Sequence, residues 1–149
     1  MTDHLSRISK LSLLGLCLIL PGCGGSAGPK LGQVAGVVRF DGQPVSGLTV
    51  FFESTSGTTS AGGTNEAGQY RLSFPGNRTG AELGHHVVRI VGRDPQLSDK
   101  DLEGVAGERG VPVEELKKTP IIPAKYNEKT ELSAEVKSGR NEIDFDLMP

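Results

Sequence analysis

Two adjacent histidines, His85 and His86, are the first candidates for chemistry, because imidazole binds metals and exchanges protons near neutral pH. Successive residues of a strand point to opposite faces, so this pair is badly placed to hold one ion. The sequence offers no His-x-x-x-His spacing and no cysteine or glutamate set that would complete a zinc site. We therefore expect a half-buried histidine on a strand, no metal site and no cofactor.

Acidic and serine residues supply the other candidates. Asp99, Asp101, Glu103 and Glu108 lie close together, but they lack the alternating rhythm and the final bidentate glutamate of a calcium loop. We expect a solvated acidic loop at this place. No Gly-x-Ser-x-Gly elbow is present, whereas a Ser–His–Asp triad is a spatial arrangement that a sequence leaves open. With no catalytic residue indicated, we predict that the chain is not an enzyme.

Cys23 ends a distinctive N-terminal segment. Residues 1–10 are polar and carry Arg7 and Lys10, and residues 11–20 form an apolar run that Pro21-Gly22 closes. A basic start, a short apolar stretch and a small residue before the cleavage point are the parts of a secretory signal peptide. The apolar run falls well short of the ~20 residues that a membrane-spanning helix needs.

The tetrapeptide Leu20-Pro21-Gly22-Cys23 resembles the lipobox of bacterial lipoproteins, which has a leucine three residues before an obligatory cysteine. The resemblance implies that residues 1–22 are a signal peptide and that Cys23 is the lipid attachment site. Its thiol would carry a diacylglycerol and its new amine an acyl chain such as palmitate, which together make membrane attachment lasting. The alternative is an ordinary cysteine after a plain signal peptide. Gly24 is not the Asp that retains some lipoproteins, so we expect secretion across the inner membrane and anchoring at the outer membrane.

Cleavage before Cys23 would leave residues 23–149 with one cysteine, which excludes an intrachain disulfide and a cysteine-based metal site. The leader holds two basic residues and one acidic residue, so its removal changes the formal net charge from −2 to −3. This balance, without basic clusters, argues against nucleic acid as a partner. Residues 23–33 are glycine-rich and are predicted to form a flexible tether, which would span ~16–19 Å for ten residues of coil.

From Val34 onwards the apolar residues follow a period of two. Three stretches alternate cleanly between apolar and polar residues, which predicts antiparallel strands with one face on the core and one in water. Their apolar members are Tyr70, Leu72 and Phe74, then Leu132, Ala134 and Val136, and finally Ile143, Phe145 and Leu147. The more continuously apolar runs 34–40, 48–53 and 85–91 are expected to be the better buried strands.

Turn signals separate these strands. Asp41-Gly42 supplies the positive φ angles of a tight hairpin turn. In Asn65-Glu66-Ala67-Gly68 we expect the Asn65 side chain to satisfy nearby backbone and Gly68 to be left-handed. Ser138-Gly139-Arg140-Asn141 joins the last two strands. Six or seven short strands with such turns predict an all-β sandwich of two sheets.

The stretch Val34-Ala35-Gly36-Val37-Val38, followed by Asp41-Gly42 and Pro44-Val45-Ser46-Gly47, resembles the opening of carboxypeptidase regulatory-like domains. Thr64-Asn65-Glu66-Ala67-Gly68-Gln69-Tyr70 is similar to their second signature, with an Asn where Asp is usual. Gly84-His85-His86-Val87-Val88 is similar to a later strand, with His86 in a Tyr position. The resemblance implies a transthyretin-like (prealbumin-like) antiparallel β-sandwich of about seven strands over residues 34–149. It implies no catalysis, because such domains accompany a catalytic domain and hold none of its active site.

Residues 94–123 form a connection far longer than the ~2–5 residues that usually join neighbouring strands. Pro112, the early Glu114 and Glu115 and the late Lys117 and Lys118 predict a short helix at 112–118. Residues 98–106 are expected to form another helical turn. Two interpretations stay open, a partner-binding flap and an insertion that covers a sheet edge.

The sequence therefore favours a secreted, lipid-anchored, non-enzymatic module on the bacterial envelope. Its role would be structural or in protein interaction, with the membrane and an unknown envelope protein or polymer as its partners. The alternative is a small-ligand or glycan-binding lipoprotein. The lack of tryptophan, with five Phe and two Tyr mostly at core positions, leaves little for stacking on sugars and favours the first class.

Overall fold

Two β-sheets packed face to face form the body of the protein, and a pair of helices is inserted between two strands. The computed structural model describes residues 28–149. The strands are β1 (Leu31–Phe40), β2 (Gln43–Pro44), β3 (Thr49–Ser54), β4 (Thr59–Gly63), β5 (Gln69–Arg71), β6 (Ser73–Phe74), β7 (Arg78–Thr79), β8 (Ala81–Glu82), β9 (Gly84–Val91), β10 (Ser133–Val136), β11 (Arg140–Glu142) and β12 (Phe145–Leu147). The helices are α1 (Asp99–Arg109) and α2 (Val113–Lys118), and Ala124–Tyr126 is a turn of 3-10 helix. The predicted all-β sandwich with a small helical insertion is confirmed.

The first sheet, sheet I, is organised around β1, which is the first of the three apolar runs. One side of this ten-residue strand pairs antiparallel with β8, β5 and β2 in turn, and the other side pairs with β11 and β12. The C-terminal strands run parallel to β1, which departs from the antiparallel pairing expected for them. Parallel pairing is open to them because most of the domain lies between β1 and the C-terminus, which is ample for the crossover that a parallel pair needs.

The second sheet, sheet II, has the strand order β10-β9-β3-β4-β6-β7, and its neighbouring strands are antiparallel. Its central strands β3 and β9 come from the other two apolar runs and pair over six residues. Buried side chains alternate with exposed or half-buried ones along both strands. The prediction that these runs form the better buried strands is confirmed.

The chain passes between the sheets in the middle of two of its strands. A single residue, Leu72, separates β5 of sheet I from β6 of sheet II, and Gly80 likewise separates β7 from β8. These crossings divide longer strands into short segments. They explain why residues 28–149 contain twelve strand segments where about seven strands were expected.

Side chains from both sheets form one continuous core. Its buried members are Val34, Val38, Leu48, Val50, Phe52, Tyr70, Leu72, Ala81, Val88, Ile90, Ile122, Val136, Phe145 and Leu147. Phe145 lies at the centre of its aromatic part, with ring centroids 6.2 Å from both Phe52 and Tyr70. The apolar positions of the alternating stretches other than Phe74 therefore lie in this core or pack against it, as their period of two predicts. Phe74 is half-buried beneath Arg78.

Gly36 of β1 lets the C-terminal segment come close to sheet I. A Cβ atom at this position would lie 1.8 Å from the carbonyl oxygen of Ile143. The hydroxyl of Tyr70 donates a hydrogen bond to the same oxygen at 2.7 Å. Burial of that hydroxyl, together with the charge of Asp144, raises the pKa of Tyr70 above its ordinary value. The contact joins three segments of the chain and has no room for a larger residue at 36.

The predicted turns are present. Asp41 and Gly42 have φ angles of 51° and 75° and connect β1 to β2, as expected for a two-residue hairpin turn. Asn65 Oδ1 accepts hydrogen bonds from two of the following backbone N–H groups, at 3.0 and 2.9 Å. Gly68 is left-handed with φ 69°. The turn predicted at 138–141 is shorter, because Arg140 and Asn141 already belong to β11; Gly139 carries the chain from β10 in sheet II to β11 in sheet I.

The insertion, residues 94–123, is a helical hairpin, and the prediction of an acidic loop within it is wrong. The four acidic residues lie on α1, which begins with a capping box between Ser98 and Asp101 and ends at the left-handed Gly110. The helix is longer than the helical turn expected at 98–106. The predicted helix at 112–118 is confirmed as α2, with Pro112 at its N-cap.

The helical hairpin lies at the ends of the central strands of sheet II, and not along a sheet edge. Gly47, just before β3, has a φ angle of 76°, and a Cβ atom there would lie 2.2 Å from Thr119 Oγ1. The end of α2 therefore approaches the sandwich at a position that a larger residue would block. No helix within residues 28–149 is long and apolar enough to cross a membrane.

Candidate functional site

The two histidines lie on opposite faces of β9, as the alternation of a strand requires. His85 is exposed, whereas His86 is buried with its ring centroid 5.7 Å from that of Phe52. His86 Nδ1 lies 3.0 Å from the carbonyl oxygen of Gly84, which accepts a hydrogen bond and so places a proton on Nδ1. Within the described part of the chain, no three His, Cys, Asp or Glu side chains are grouped to hold a metal ion. The structure gives His86 a packing role at the rim of the core.

A cluster of hydroxyl groups that the sequence did not indicate lies in the turn between β3 and β4. Ser56 Oγ donates to Glu82 Oε2 at 2.6 Å, and Ser54 Oγ lies 2.8 Å from Ser56 Oγ. Hydrogen bonds from these hydroxyls, that of Ser56 first, hold the pKa of Glu82 below its ordinary value. Ser56 donates to a carboxylate, whereas a catalytic nucleophile needs a base that accepts its proton in a reactive geometry. The cluster braces the turn against β8.

The acidic residues of α1 brace the helical hairpin. Asp101 accepts hydrogen bonds from the hydroxyl and the backbone N–H of Ser98, and these bonds lower the pKa of its carboxyl. Lys117 Nζ of α2 lies 3.8 Å from Asp99 Oδ2 and 3.7 Å from Glu114 Oε1. These carboxylates therefore cap one helix and join it to the other, and they do not converge on a common point.

One end of the sandwich receives the chain from the N-terminus, and we name it the tether pole (residues 28–32, 54–58, 78–84 and 137–140). Residues 31–33, expected at the end of the tether, already belong to β1. The backbone N–H of Leu83 donates to the Lys30 carbonyl at 3.2 Å, and Arg78 Nη2 donates to the Pro29 carbonyl at 2.9 Å. The entry of the chain is thereby fixed to β7 and to the residue between β8 and β9.

Basic side chains surround this entry point. The four ranges of the tether pole contain four exposed cations, Lys30, Arg78, Lys137 and Arg140, and one carboxylate, Glu82. The formal net charge of the tether pole is therefore positive, although that of the whole chain is negative. The tether pole thus differs in charge from the rest of the surface.

The helical hairpin lies at the opposite end, which we name the distal pole (residues 41–48, 64–68 and 92–128). β9 connects the two poles, running from Gly84 beside the chain entry to Val91 beside the hairpin. Its eight residues span about 23 Å at a rise of ~3.3 Å per residue. The backbone N–H of Arg93 donates to the Pro120 carbonyl at 3.1 Å, which ties the beginning of the insertion to its end.

A cleft of about 250 Å³ separates the helical hairpin from the strand ends at the distal pole. Apolar side chains form much of its wall: Val91, Leu97, Leu102, Val105 and Leu116. Arg93, Arg109 and Asp94 add charge to this wall. Asp94 Oδ1 accepts a hydrogen bond from the backbone N–H of Gln96 at 2.8 Å, so this carboxylate is engaged in its own turn.

Neither arginine of the cleft has an anionic partner within residues 28–149. Arg93 Nε is buried and has no hydrogen-bond acceptor there, and neither Arg93 nor Arg109 takes part in any of the four ion pairs of this part of the chain. The two residues lie sixteen positions apart in sequence, one before α1 and one at its end. No sequence motif predicted that both would line one cleft. The cleft is therefore a site that sequence reasoning missed.

Cys23, the lipid attachment site implied by the lipobox resemblance, lies outside the described residues together with the predicted signal peptide and residues 24–27 of the predicted tether. The geometry that bears on function is thus that of the sandwich, its two poles and the cleft. No family model, no curated protein and no solved structure matches this chain.

Proposed function

We propose that this protein is a secreted, lipid-anchored, non-enzymatic β-sandwich module of the bacterial envelope that presents its helical hairpin to an envelope protein or polymer. The observation that carries the proposal is the separation of the two poles. Cys23 lies five residues before Gly28 at the tether pole, and the hairpin lies at the far end of the ~23 Å strand β9. An anchor at Cys23 therefore leaves the distal pole facing away from the lipid.

The charge distribution supports the same orientation. A lysine or arginine near a surface of anionic lipids contributes about 1 kcal/mol of attraction, so the basic tether pole favours the membrane side. The helical hairpin carries seven acidic and four basic side chains and is repelled from such a surface. Electrostatics and the lipid anchor thus act in the same direction.

The proposal includes membership of the carboxypeptidase regulatory-like domains. Its support is the position of the two signature turns in sheet I. Asp41-Gly42 ends β1, and the turn from Asn65 to Gly68 leads into β5, which pairs with the middle of the same strand. Domains of this kind accompany catalysis without performing it, which agrees with a presenting role.

The anchor is tested by Cys23→Ser in the native host. We expect loss of acyl labelling and release of the protein from the membrane fraction, because two or more acyl chains supply the lasting part of the attachment. Thr55 is exposed in the turn between β3 and β4, and Thr55→Cys added to Cys23→Ser is the matched control for a thiol at another site. Equal labelling and equal membrane retention in Cys23→Ser would contradict the anchor.

The presenting role is tested by site-specific photocrosslinking in intact cells. A photoreactive residue replaces Glu108, which is exposed on α1 at the distal pole, and in a matched variant it replaces Thr55 at the tether pole. We expect a discrete crosslinked product from position 108 and none of the same size from position 55. Cys23→Ser should abolish the product, because the hairpin then leaves the envelope surface. The same product from both positions, or none from position 108, would overturn the presenting role.

A further inference from the structure

We propose that the cleft between the helical hairpin and the strand ends binds a carboxylate carried on a small apolar body, such as an apolar acid or the C-terminal residue of a peptide. The inference deepens the proposed function, since it names the chemistry by which the distal pole recognises a partner. No sequence motif points to this site; two arginines and several aliphatic side chains line it.

The two arginines that line the cleft form no ion pair within residues 28–149. A buried guanidinium nitrogen without an acceptor carries an uncompensated desolvation cost, and Arg93 Nε is in that state within residues 28–149. Arg109 approaches the same cleft from the last turn of α1 and forms none of the ion pairs found in the described chain. Because Arg93 Nε is itself enclosed, the terminal Nη groups of the two arginines would be the donors to a ligand, and such paired N–H groups suit a planar carboxylate.

The second feature of the cleft is its apolar wall. Leu97 and Val105 are half-buried and offer aliphatic surface to the cleft, which the buried Leu102 and Leu116 also line. A hydrated phosphate or sulfate would leave this surface uncovered. A ligand with an aliphatic or aromatic side chain next to its carboxylate would cover it and gain the free energy of burial.

The third feature is size. The cleft has about 250 Å³. A dry cavity of ~150 Å³ is enough for benzene, so one residue-sized body with its carboxylate fits, whereas a long acyl chain does not. A chain-terminal carboxylate is one of the recurrent ways in which proteins recognise peptides.

Two acidic features of the distal pole oppose an anion and limit the affinity. Asp94 lines the cleft, and the hairpin as a whole has an excess of acidic side chains. Asp94 is held by the N–H of Gln96, and the hairpin charges at the surface are screened over ~8 Å at physiological ionic strength. The cleft itself is lined by two arginines against one aspartate, so its own formal charge is positive.

The test is ligand-observed fluorine NMR with the purified full-length protein. The probes are N-acetyl-4-fluorophenylalanine, its C-terminal amide and a tetrapeptide that ends in the same residue with a free carboxylate. We expect the two acids to bind about tenfold or more tightly than the amide, because the hydrogen bonds to a charged group are lost in the amide. Tighter binding of the tetrapeptide than of the free acid assigns the site to peptide ends, and the reverse order assigns it to small acids. Equal binding of acid and amide would overturn the proposal.

Variants place the binding in the cleft. Arg93→Gln and Arg109→Gln should each weaken binding of the acids about tenfold and leave the amide unchanged. Arg140→Gln, which removes an exposed arginine at the tether pole, is the matched control and should change neither. Arg109 is itself exposed, so Arg109→Gln decides the question even where Arg93→Gln lowers the melting temperature. Equal weakening in Arg140→Gln and Arg109→Gln would overturn the site.

The proposed function and the cleft fail separately. A crosslink from position 108 without preference for the carboxylate probe leaves the presenting role intact and removes the cleft from it. Probe binding without a crosslink leaves the cleft as a small-acid site and removes the envelope partner.

Discussion

Fourteen buried side chains form the core of the sandwich, and one of them, Ile122, comes from the end of the insertion, whereas the helical hairpin has three of its own, Leu102, Ala106 and Leu116. The sandwich core is a single body to which strands from the whole length of the described chain contribute. The hairpin core comes from two neighbouring helices, with four half-buried residues around it. Burial is therefore concentrated in one region, and the other region depends on local contacts.

This difference predicts two levels of stability in one molecule. Elements with few buried contacts open at a lower free energy than the core does, so the hairpin can undock or unfold while the sandwich remains folded. α1 contains Gly104 and Gly107, each of which costs a helix interior about 1 kcal/mol relative to alanine. The capping box of Ser98 offsets part of this cost. The region proposed to meet a partner is thus the less stable one.

Phe52→Ala should have the largest effect, a loss of about 3–5 kcal/mol of unfolding free energy, because it leaves a cavity in the shared core. Phe52 is fully buried and contacts both His86 and Phe145. Urea denaturation measures the loss, and protection from hydrogen exchange should fall in β9 and in α1 alike. The control is Phe51→Ala on the outer face of the same strand, where Phe51 is half-buried beneath Arg89. A loss in Phe52→Ala no larger than in the control would contradict a continuous core.

Leu102→Ala removes a large, fully buried apolar side chain, as Phe52→Ala does, but from the hairpin core. Such a change costs about 2–5 kcal/mol in a core that must stay folded. Here the loss of global unfolding free energy should be smaller, because the hairpin can open by itself. The loss then cannot exceed the free energy that holds the hairpin in place. Hydrogen exchange should accelerate in α1 and α2 and stay unchanged in β3 and β9. A loss of about 2–5 kcal/mol of unfolding free energy, with faster hydrogen exchange in β9 as well, would show that the hairpin and the sandwich unfold together.

Gly104→Ala should stabilise α1 by about 0.5–1 kcal/mol, because a Cβ atom at this position meets nothing within 4 Å and alanine is the better helix former. The same added methyl group in Gly36→Ala should destabilise the sandwich, since it would collide with the Ile143 carbonyl. Protection from exchange in α1 measures the first effect, and the melting temperature measures the second. The same sign in both variants would refute the contrast between an open helix surface and a close-packed strand.

Acid should loosen the hairpin through Asp101. Its folded-state pKa is lowered by the hydrogen bonds from Ser98, so its contribution is present above the unfolded value of ~3.9 and is lost as pH falls through the folded pKa. Protection of α1, corrected for intrinsic exchange, should therefore decline below about pH 4. Ser98→Ala should flatten this dependence, whereas Glu103→Gln, at an exposed position of the same helix, should not. A pH dependence that persists in Ser98→Ala would assign the effect to another carboxylate.

Local patterns in the sequence determined much of the fold. The period of two placed Tyr70, Leu72 and Phe145 in the core, because a strand sends alternate side chains to one face whatever its partners are. Asp41-Gly42 and the end of α2 were equally predictable, since turn and helix signals act within a few residues. The capping box of α1 was present in the sequence as well, but the acidic residues were interpreted as a loop.

The role proposed for Cys23 and its leader depends on the sequence alone, because a lipidation motif is a linear signal and precedes the described residues. Other features were decided by tertiary structure: the parallel pairing of β12 with β1, the docking of the hairpin on the strand ends, and the position of Arg93 and Arg109 at one cleft. Each of these features either joins segments that are distant in sequence or depends on how two elements pack. Local periodicity specifies which side of an element is apolar, and only the packing of all the apolar faces together fixes which element lies against which.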